Sequence, residues 1–388
     1  MKVVTYLALS LFSISLFAQN PVKSIPFEQY GDHIIIKMAV DSSDPLDFIF
    51  DSGAGYTVID EDVAENLHLV KDKVIINEDK VRTTIFKHNT IEIDGFLVEK
   101  NIKVYSTDLD HLEISLGRDI DGIVGYDLMV HHAVRIDYDN QIFEVYRHGE
   151  HPKKGDPISF KMDTAIPYVE GNVVLNNGEP HPGTFLIMTG AGTTLDFNSP
   201  YAKEFDVIHK TGNHYSYFVK SISDTETKHY EGRVKSFSFG NQKLEDMPIG
   251  ISEASSGIQA HPKISGIIGN EILNKYNLEF DLPAKKIYLE KNKNFDEPFR
   301  INCGGLDVQL SKDKTKVLIH QVFEGSEAEK KGIKLNAELR SINGKKAISE
   351  INMAEIKETL KSDGTTTDVV VFQDGTEKKV TLHLKAIL

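Results

Sequence analysis

A carboxylate at the start of a small-residue turn is the first feature of this sequence that could do chemistry. Asp51 follows the apolar run Phe48–Phe50 and precedes the turn Ser52–Gly55. Glycine permits a sharp backbone bend, and an aspartate placed there can act as a general acid or base. An Asp-Ser-Gly turn at the end of a strand is also a common structural feature, so the turn alone does not establish catalysis.

A second turn repeats this pattern without the carboxylate. The apolar run Phe185–Ile187 leads into Met188–Ala191, and Met188 stands at the position that corresponds to Asp51. A thioether neither ionises nor donates a hydrogen bond. Two adjacent carboxylates can divide the roles of acid and base, because they cannot both ionise, whereas one carboxylate cannot fill both roles. The sequence therefore predicts a pair of turns that carries a single acid.

The elements that must position the two turns also recur in the same order. Each copy has an apolar strand before the turn, a later strand, an apolar-apolar-glycine segment and a closing strand: His33–Ile36, Ile91–Gly95, Asp121–Tyr126 and Arg135–Tyr138, then Asn172–Leu175, Phe237–Gly240, Ser265–Asn270 and Glu279–Leu282. The glycine and the closing aspartate are 12 residues apart in both copies (137 − 125 and 281 − 269). The alternating apolar pattern predicts two mainly β lobes, each with one short helix after that glycine.

These residues resemble the pepsin-like and retropepsin-like aspartic peptidases, and the resemblance covers both copies from about Ile34 to Leu289. It implies a mainly β, bilobal acid-protease fold in which two retropepsin-like lobes form a pseudo-dimer. Asp51 would then be the catalytic carboxylate, and the active-site turns would consist of Ser52, Gly53, Ala54, Met188, Thr189, Gly190 and Ala191. Asp196 aligns with Ile59, a strand position, and is therefore not expected to replace the missing acid.

The sequence changes character from about Ile301. Gly304–Val308 and Val317–Val322 predict two strands, and Ser326 with Glu329 predicts a capping box for a helix that ends at Gly332. Together with a later Ile-Asn-Gly turn, this run resembles the PDZ domains attached to bacterial exported proteases, which have an α+β fold.

That second resemblance implies a peptide groove in the C-terminal unit. A loop at Gly304, Gly305 and Leu306 would bind a terminal carboxylate, and the strand at Val308 would pair with the peptide. The other wall would be a helix over Asn352–Lys361, whose apolar stripe is formed by Met353, Ile356 and Leu360. The stripe could equally be ordinary core packing, and the unit could dock on its neighbour instead of binding a ligand.

The N-terminus predicts export. Lys2 precedes an apolar run that ends at Phe17, and Ala18 supplies a small residue for signal-peptide cleavage. The run is shorter than the roughly 20 residues that span a bilayer, so no membrane span is expected after cleavage. The mature protein would be periplasmic or secreted. Its one cysteine, Cys303, excludes an internal disulfide.

These patterns predict a signal peptide at 1–18, peptidase-like lobes at 19–150 and 151–298, and a PDZ domain at 299–388. The net charge of −14 comes from scattered acidic residues and disfavours nucleic acid as a partner. No metal is predicted, because His131 and His132 would face opposite sides of a strand. No cofactor is predicted either, since no glycine-rich phosphate loop is present, and Ser52 and Ser326 lack the Gly-x-Ser-x-Gly context of a nucleophile.

The sequence is compatible with two functions. In the first, the protein is an aspartic endopeptidase that binds and hydrolyses extended polypeptide, and Asp51 finds a second carboxylate by self-association or from a residue not yet placed. In the second, it is a pseudopeptidase that binds peptide or serves as a scaffold, because Met188 replaces the second aspartate. In both, the PDZ unit recruits or positions polypeptide, and a free C-terminus bound in its groove is one route for this. A flap is expected between Val81 and Thr90.

Overall fold

The computed structural model describes residues 20–76, 81–162, 165–220, 226–386 and 388. The predicted signal peptide lies outside these residues. Strands dominate the chain, as the alternating pattern predicts. Within the described ranges, no helix combines the length and the apolar character needed to cross a membrane.

The first lobe is built on an eight-stranded sheet with the order β2-β3-β4-β9-β5-β8-β7-β6. Alternating apolar residues, as in β3, bury one face of this sheet. Its elements are β2 (Glu28–Tyr30), β3 (His33–Val40), β4 (Leu46–Phe50), β5 (Val58–Asp60), α1 (Glu61–Asn66), β6 (Lys71–Ile76), β7 (Arg82–Ile93), β8 (Phe96–Thr107), α2 (Asp110–Leu116), β9 (Gly122–Val124) and α3 (Tyr126–Met129), after a strand β1 (Lys23–Pro26). The strands β6 and β7 form a hairpin, and the expected flap at Val81–Thr90 falls largely within β7.

The second lobe repeats this topology in a seven-stranded sheet with the order β13-β14-β19-β15-β18-β17-β16. Its elements are β13 (Tyr168–Val174), β14 (Pro180–Ile187), β15 (Leu195–Phe197), α4 (Ser199–Glu204), α5 (Val207–Lys210), β16 (Tyr215–Lys220), β17 (Glu226–Phe239), β18 (Gln242–Ser252), β19 (Gly266–Ile268) and α6 (Asn270–Leu273). In both lobes the strand before the turn runs parallel to the apolar-apolar-glycine strand, which is antiparallel to the strand after the turn. The predicted bilobal, mainly β fold is confirmed, including the short helices α3 and α6.

A third sheet joins the lobes in the order β1-β11-β10-β20-β21-β12. Its remaining strands are β10 (His132–Asp137), β11 (Ile142–Arg147), β12 (Asp156–Ser159), β20 (Tyr276–Asp281) and β21 (Lys286–Lys291). The closing strands of the two copies, β10 and β20, pair directly, with Arg135 opposite Glu279. One continuous apolar core runs through both lobes and this sheet.

The C-terminal unit is an α+β structure with its own core. Its elements are β22 (Leu306–Leu310), β23 (Val317–Val322), α7 (Glu327–Lys330), β24 (Glu338–Ile342), β25 (Lys345–Lys346), α8 (Met353–Leu360), β26 (Thr366–Gln373) and β27 (Thr376–His383). The sheet order is β22-β23-β24-β26-β27, which leaves β22 at an edge.

The capping box predicted for α7 is half formed. The Ser326 hydroxyl accepts a hydrogen bond from the Glu329 amide at 3.2 Å, as predicted. The Glu329 carboxylate accepts from the amide of Gly325 at 2.7 Å instead of returning to Ser326. The reciprocal pair occurs at α8, where Asn352 and Glu355 each accept from the other's amide.

Candidate functional site

The two turns hold each other through their hydroxyl side chains. The Ser52 hydroxyl donates to the Ile187 carbonyl at 2.8 Å, and the Thr189 hydroxyl donates to the Phe50 carbonyl at 3.1 Å. The Ser52 amide donates to the Thr189 hydroxyl at 2.9 Å, and the Thr189 amide donates to the Ser52 hydroxyl at 3.1 Å. All of these bonds are buried, so breaking one would leave a polar group without a partner. They fix the turns face to face.

Asp51 is bound by the backbone of both turns. Its Oδ1 accepts from the Gly53 amide at 2.8 Å and from the Gly190 amide of the second turn at 3.0 Å. Burial raises the pKa of Asp51 above its usual range, and the two amide hydrogen bonds only partly oppose this. The carboxyl group therefore keeps a proton to a higher pH than an exposed aspartate does.

Met188 occupies the reciprocal position on the second turn. A Cβ atom added to Gly53 would lie 2.6 Å from the Met188 Cγ and Cε atoms, and one added to Gly190 would lie 2.4 Å from the Asp51 Cγ atom. Each of the two side chains thus covers the glycine of the opposite turn. Within the described ranges, no second carboxylate hydrogen-bonds to Asp51.

The backbone around the turns is the same in both copies. The Ala54 amide donates to the Asp51 carbonyl at 2.9 Å, and the Ala191 amide donates to the Met188 carbonyl at 3.2 Å. A Cβ atom on Gly125 would lie 2.0 Å from the Asp51 carbonyl oxygen, which accounts for the glycine that ends the apolar-apolar-glycine segment. The second copy has the same turn without the acid.

Asp196 takes no part in the turns. It lies in β15, almost fully buried, and its Oδ2 accepts from the Gln259 Nε2 at 2.5 Å. The His229 Nδ1 atom lies 3.7 Å from the Asp196 Oδ1 atom. This placement agrees with its alignment to a strand position.

Part of the first lobe is similar to known proteins. Residues 36–128, which contain Asp51 and Gly125, match the family model described as aspartyl protease. The first lobe is aspartyl-protease-like. A curated relative, the carboxy-terminal processing protease CtpB of Bacillus subtilis (strain 168), is 26% identical over 149 residues. The match covers 34% of this chain and 31% of CtpB, so the chain spans about a third of that protein.

A solved structure is also similar to this chain. The crystal structure of an aspartic proteinase from Irpex lacteus covers 71% of this chain and 98% of its own, with 11% sequence identity and a TM-score of 0.46. The matched family region stops before Met188.

A cavity of about 330 Å³ lies beside the second turn and was not foreseen from the sequence. It is bounded by both lobes and the C-terminal unit, through residues that include His33, Glu271 and Lys361. The Lys361 Nζ atom lies 2.8 Å from the Glu271 carboxylate and 3.6 Å from that of Asp32. Burial raises the pKa of Glu271 to about 7. Because these residues come from three distant segments, no local sequence pattern could have indicated the cavity.

The predicted PDZ groove residues are brought together, but they are enclosed. The Cys303 and Gly304 amides donate to the Leu360 carbonyl at 2.8 and 3.1 Å, and the Gly305 amide donates to the Asn302 side chain at 3.0 Å. Buried in the C-terminal core are Leu306, Val308, Met353, Ile356 and Leu360. Of the two explanations that the sequence left open for the apolar stripe of α8, the structure favours core packing.

Proposed function

We propose that the two lobes bind extended polypeptide in a cleft between them, beside the turns of Asp51 and Met188, and that this protein does not hydrolyse it by a two-aspartate mechanism. The supporting comparison is the aspartyl-protease-like first lobe. The observation that carries the proposal is the arrangement of the turns: both glycine amides bind Asp51, and Met188 fills the reciprocal position.

The chemical reason is the number of ionisable groups. An aspartic peptidase needs one carboxyl that holds a proton and one carboxylate that accepts a proton from the attacking water. Asp51 can take either state but not both, and the Met188 thioether can take neither. Met188 instead supplies a flexible apolar surface that adapts to a bound chain.

The enzyme hypothesis requires a second carboxylate, either from another molecule or from a residue that the sequence did not place. Within the described ranges no other carboxylate hydrogen-bonds to Asp51, and the contacts between the lobes oppose the route through another molecule. The first turn is already bound to the second by buried hydrogen bonds, and β10 is already paired with β20. A second copy of the first lobe could reach Asp51 only by displacing the second lobe. Binding without turnover is therefore the better-supported function.

Two further parts of the proposal rest on the sequence. We infer that residues 1–18 direct export and are removed, so that the mature protein begins at Gln19 in the periplasm or outside the cell. We also infer that the C-terminal unit, which resembles a PDZ domain, positions polypeptide beside the cleft. N-terminal sequencing of the exported protein tests the first of these inferences.

The experiment for the cleft uses the mature full-length chain and its Asp51→Asn variant. Each protein is titrated into a fluorescently labelled, unstructured polypeptide between about pH 4 and 8, which spans carboxyl titration, and the same samples are examined for fragments by mass spectrometry. We expect saturable binding without fragments, and weaker binding by the variant. Cleavage by the unaltered chain that an aspartic-peptidase inhibitor blocks would refute the proposal, as would the absence of binding.

A further inference from the structure

Helix α2 of the first lobe fills the side of the C-terminal unit where a peptide groove was predicted. β22 is the edge strand of that unit's sheet, and α8 lies across from it. Ile114 of α2 packs on the core of the C-terminal unit. Gly117, at the end of α2, lies so close to Met353 that an added Cβ atom would be 2.2 Å from the Met353 Cβ atom. An apolar anchor from the first lobe thus enters this surface.

Charges on both sides complement each other at the same place. Lys314, from the turn between β22 and β23, contacts the Asp110 carboxylate at 3.0 Å, the Asp119 carboxylate at 3.3 Å and the carboxylate of Glu113. Glu113 is buried, so its contact with Lys314 is shielded from solvent and stronger than a surface pair.

A second lysine binds the other end of the helix. The Lys357 ammonium, on α8, donates to the Ser115 carbonyl in the last turn of α2 at 3.1 Å. A cation is favourable there, because the last carbonyls of a helix carry partial negative charge. The two lysines therefore contact different parts of α2. Lys314 binds its acidic side chains, and Lys357 binds a carbonyl at its C-terminal end.

Two of the three amides in the loop predicted to bind a C-terminal carboxylate are already in use. The Gly304 and Gly305 amides donate to acceptors within the C-terminal unit, as does the neighbouring Cys303 amide. A peptide carboxylate would have to compete for these donors. The contacts that Ile114 and Lys314 make do not need a free chain end.

We propose that the groove of the C-terminal unit recognises an internal, acidic, amphipathic segment rather than a free C-terminus, and that α2 of the first lobe is its resident occupant. A partner segment would carry an aliphatic side chain flanked by carboxylates, as Asp110–Asp119 does, and would bind by displacing α2. This inference concerns the C-terminal unit and holds whether or not the cleft binds polypeptide.

The consequence for the cleft follows from the other contacts of the C-terminal unit. The Phe218 amide in the second lobe donates to the Gln321 Oε1 atom of β23 at 2.9 Å, and the Gln321 Nε2 atom donates to the Phe218 carbonyl at 2.5 Å. Phe323 stacks on Tyr215 with ring centroids 4.6 Å apart. The C-terminal unit therefore bridges the two lobes, and displacement of α2 would weaken its attachment to the first lobe, where the contact of Lys361 with Asp32 remains.

The test uses the full mature chain and a labelled peptide with the sequence of residues 108–120, amidated at its C-terminus. Ile114→Asp removes the apolar anchor and empties the groove, so the peptide should bind at least about tenfold more tightly to this variant than to the unaltered chain, because the competing internal occupant is gone. Leu97→Asp, at an exposed apolar residue of the same lobe, is the matched control and should bind as the unaltered chain does.

Adding Lys314→Glu to the Ile114→Asp chain should abolish the gain. Equal affinities for the unaltered and Ile114→Asp chains, or tight binding only by a peptide with a free carboxylate, would overturn the proposal.

A second measurement covers the case in which Ile114→Asp does not fold. Hydrogen exchange of residues 306–310 and 353–360 is compared in Lys314→Ala and in Lys314→Arg. Exchange should be faster in Lys314→Ala, which removes the cation from Asp110, Glu113 and Asp119, and stay close to the unaltered rate in Lys314→Arg, which keeps it. Unchanged exchange in Lys314→Ala, or equally fast exchange in both variants, would show that these contacts do not hold α2 in place.

Discussion

The two turns of this molecule have the same backbone and the same exchange of hydroxyl hydrogen bonds, yet only the first carries an acid. Ser52 and Thr189 bind across the lobe boundary in matching ways, whereas Asp51 and Met188 share a position but not a chemistry. The hydroxyl hydrogen bonds that hold the turns together therefore do not involve the position that differs between them, although Asp51 adds one more bond across the boundary, from the Gly190 amide. A change of function at one position need not disturb the fold, because the fold depends on its neighbours.

Restoring the acid of the second turn should produce the largest effect. In Met188→Asp, two carboxyl groups would share the site, and since they cannot both ionise readily, one would stay protonated. We expect the variant to acquire peptide hydrolysis that an aspartic-peptidase inhibitor blocks, with acid–base catalysis contributing about 10²–10⁴-fold over the unaltered chain. Fragment formation from an unstructured polypeptide, followed at several pH values, measures this.

Met188→Asn is the control for that variant, because asparagine has a similar shape but does not ionise in this range. Hydrolysis by both variants would mean that the second carboxyl is not what the site lacks. A folded, peptide-binding Met188→Asp protein without hydrolysis would show that the second turn has lost more than its acid.

The two turns should also differ in how they tolerate a methyl group at Gly53 or Gly190. In Gly190→Ala the new Cβ atom would meet Asp51, which two amides hold in place, whereas in Gly53→Ala it would meet the flexible chain of Met188. Overpacking costs typically about 1–3 kcal/mol, and a methionine can move aside more readily. Urea unfolding should therefore show Gly190→Ala as the less stable variant. A larger loss in Gly53→Ala would contradict this account of the site.

A smaller difference between the copies concerns the closing strand of the second copy, β20, which contacts His151. Its ring lies between Glu279 and Asp281, 2.8 Å from each carboxylate. Burial by itself lowers the pKa of His151, but the two carboxylates outweigh it and raise the pKa above the usual value. A group whose pKa is raised on folding stabilises the fold fully below its unfolded pKa, near 6.5, and loses that contribution as the pH rises through the folded pKa.

Stability should accordingly decline as the pH rises above about 6.5, and the decline should be weaker in His151→Gln. Thermal unfolding between about pH 6 and 9, a window around the ordinary histidine pKa, measures the difference. His148→Gln is a suitable control, since that half-exposed ring contacts Asp281 from the surface. Parallel pH profiles for the unaltered chain and His151→Gln would rule out this source of the dependence.

The repeated parts of the fold could be predicted from the sequence, because the ordered landmarks and the equal spacing after Gly125 and Gly269 indicate the same topology in both copies. The glycine turns were visible for the same reason, and so was the position of Met188. What could not be predicted depends on contacts between distant residues. The bond between Ser52 and Thr189 spans 137 positions, and no local pattern encodes it.

The C-terminal unit shows the same limit. Amphipathic spacing predicted the apolar stripe of α8, but spacing does not say what covers a stripe. The structure covers it with the unit's own core, and it places Ile114 of the first lobe against that core. The half-formed capping box at Ser326 has a simpler cause, because the side chain of Glu329 reaches the amide one residue earlier.

The sheet shared by the lobes has a consequence for the order in which the chain folds. β10 of the first lobe is bordered on one side by β11 and on the other by β20, and the residues that pair across this boundary, Arg135 and Glu279, are 144 positions apart. A ribosome must add that length of chain before the edge of β10 can be covered. Until then the first lobe has an unpaired strand edge, which can pair with another chain and lead to aggregation. Completion of the second lobe removes this risk, because β20 then covers the edge of β10.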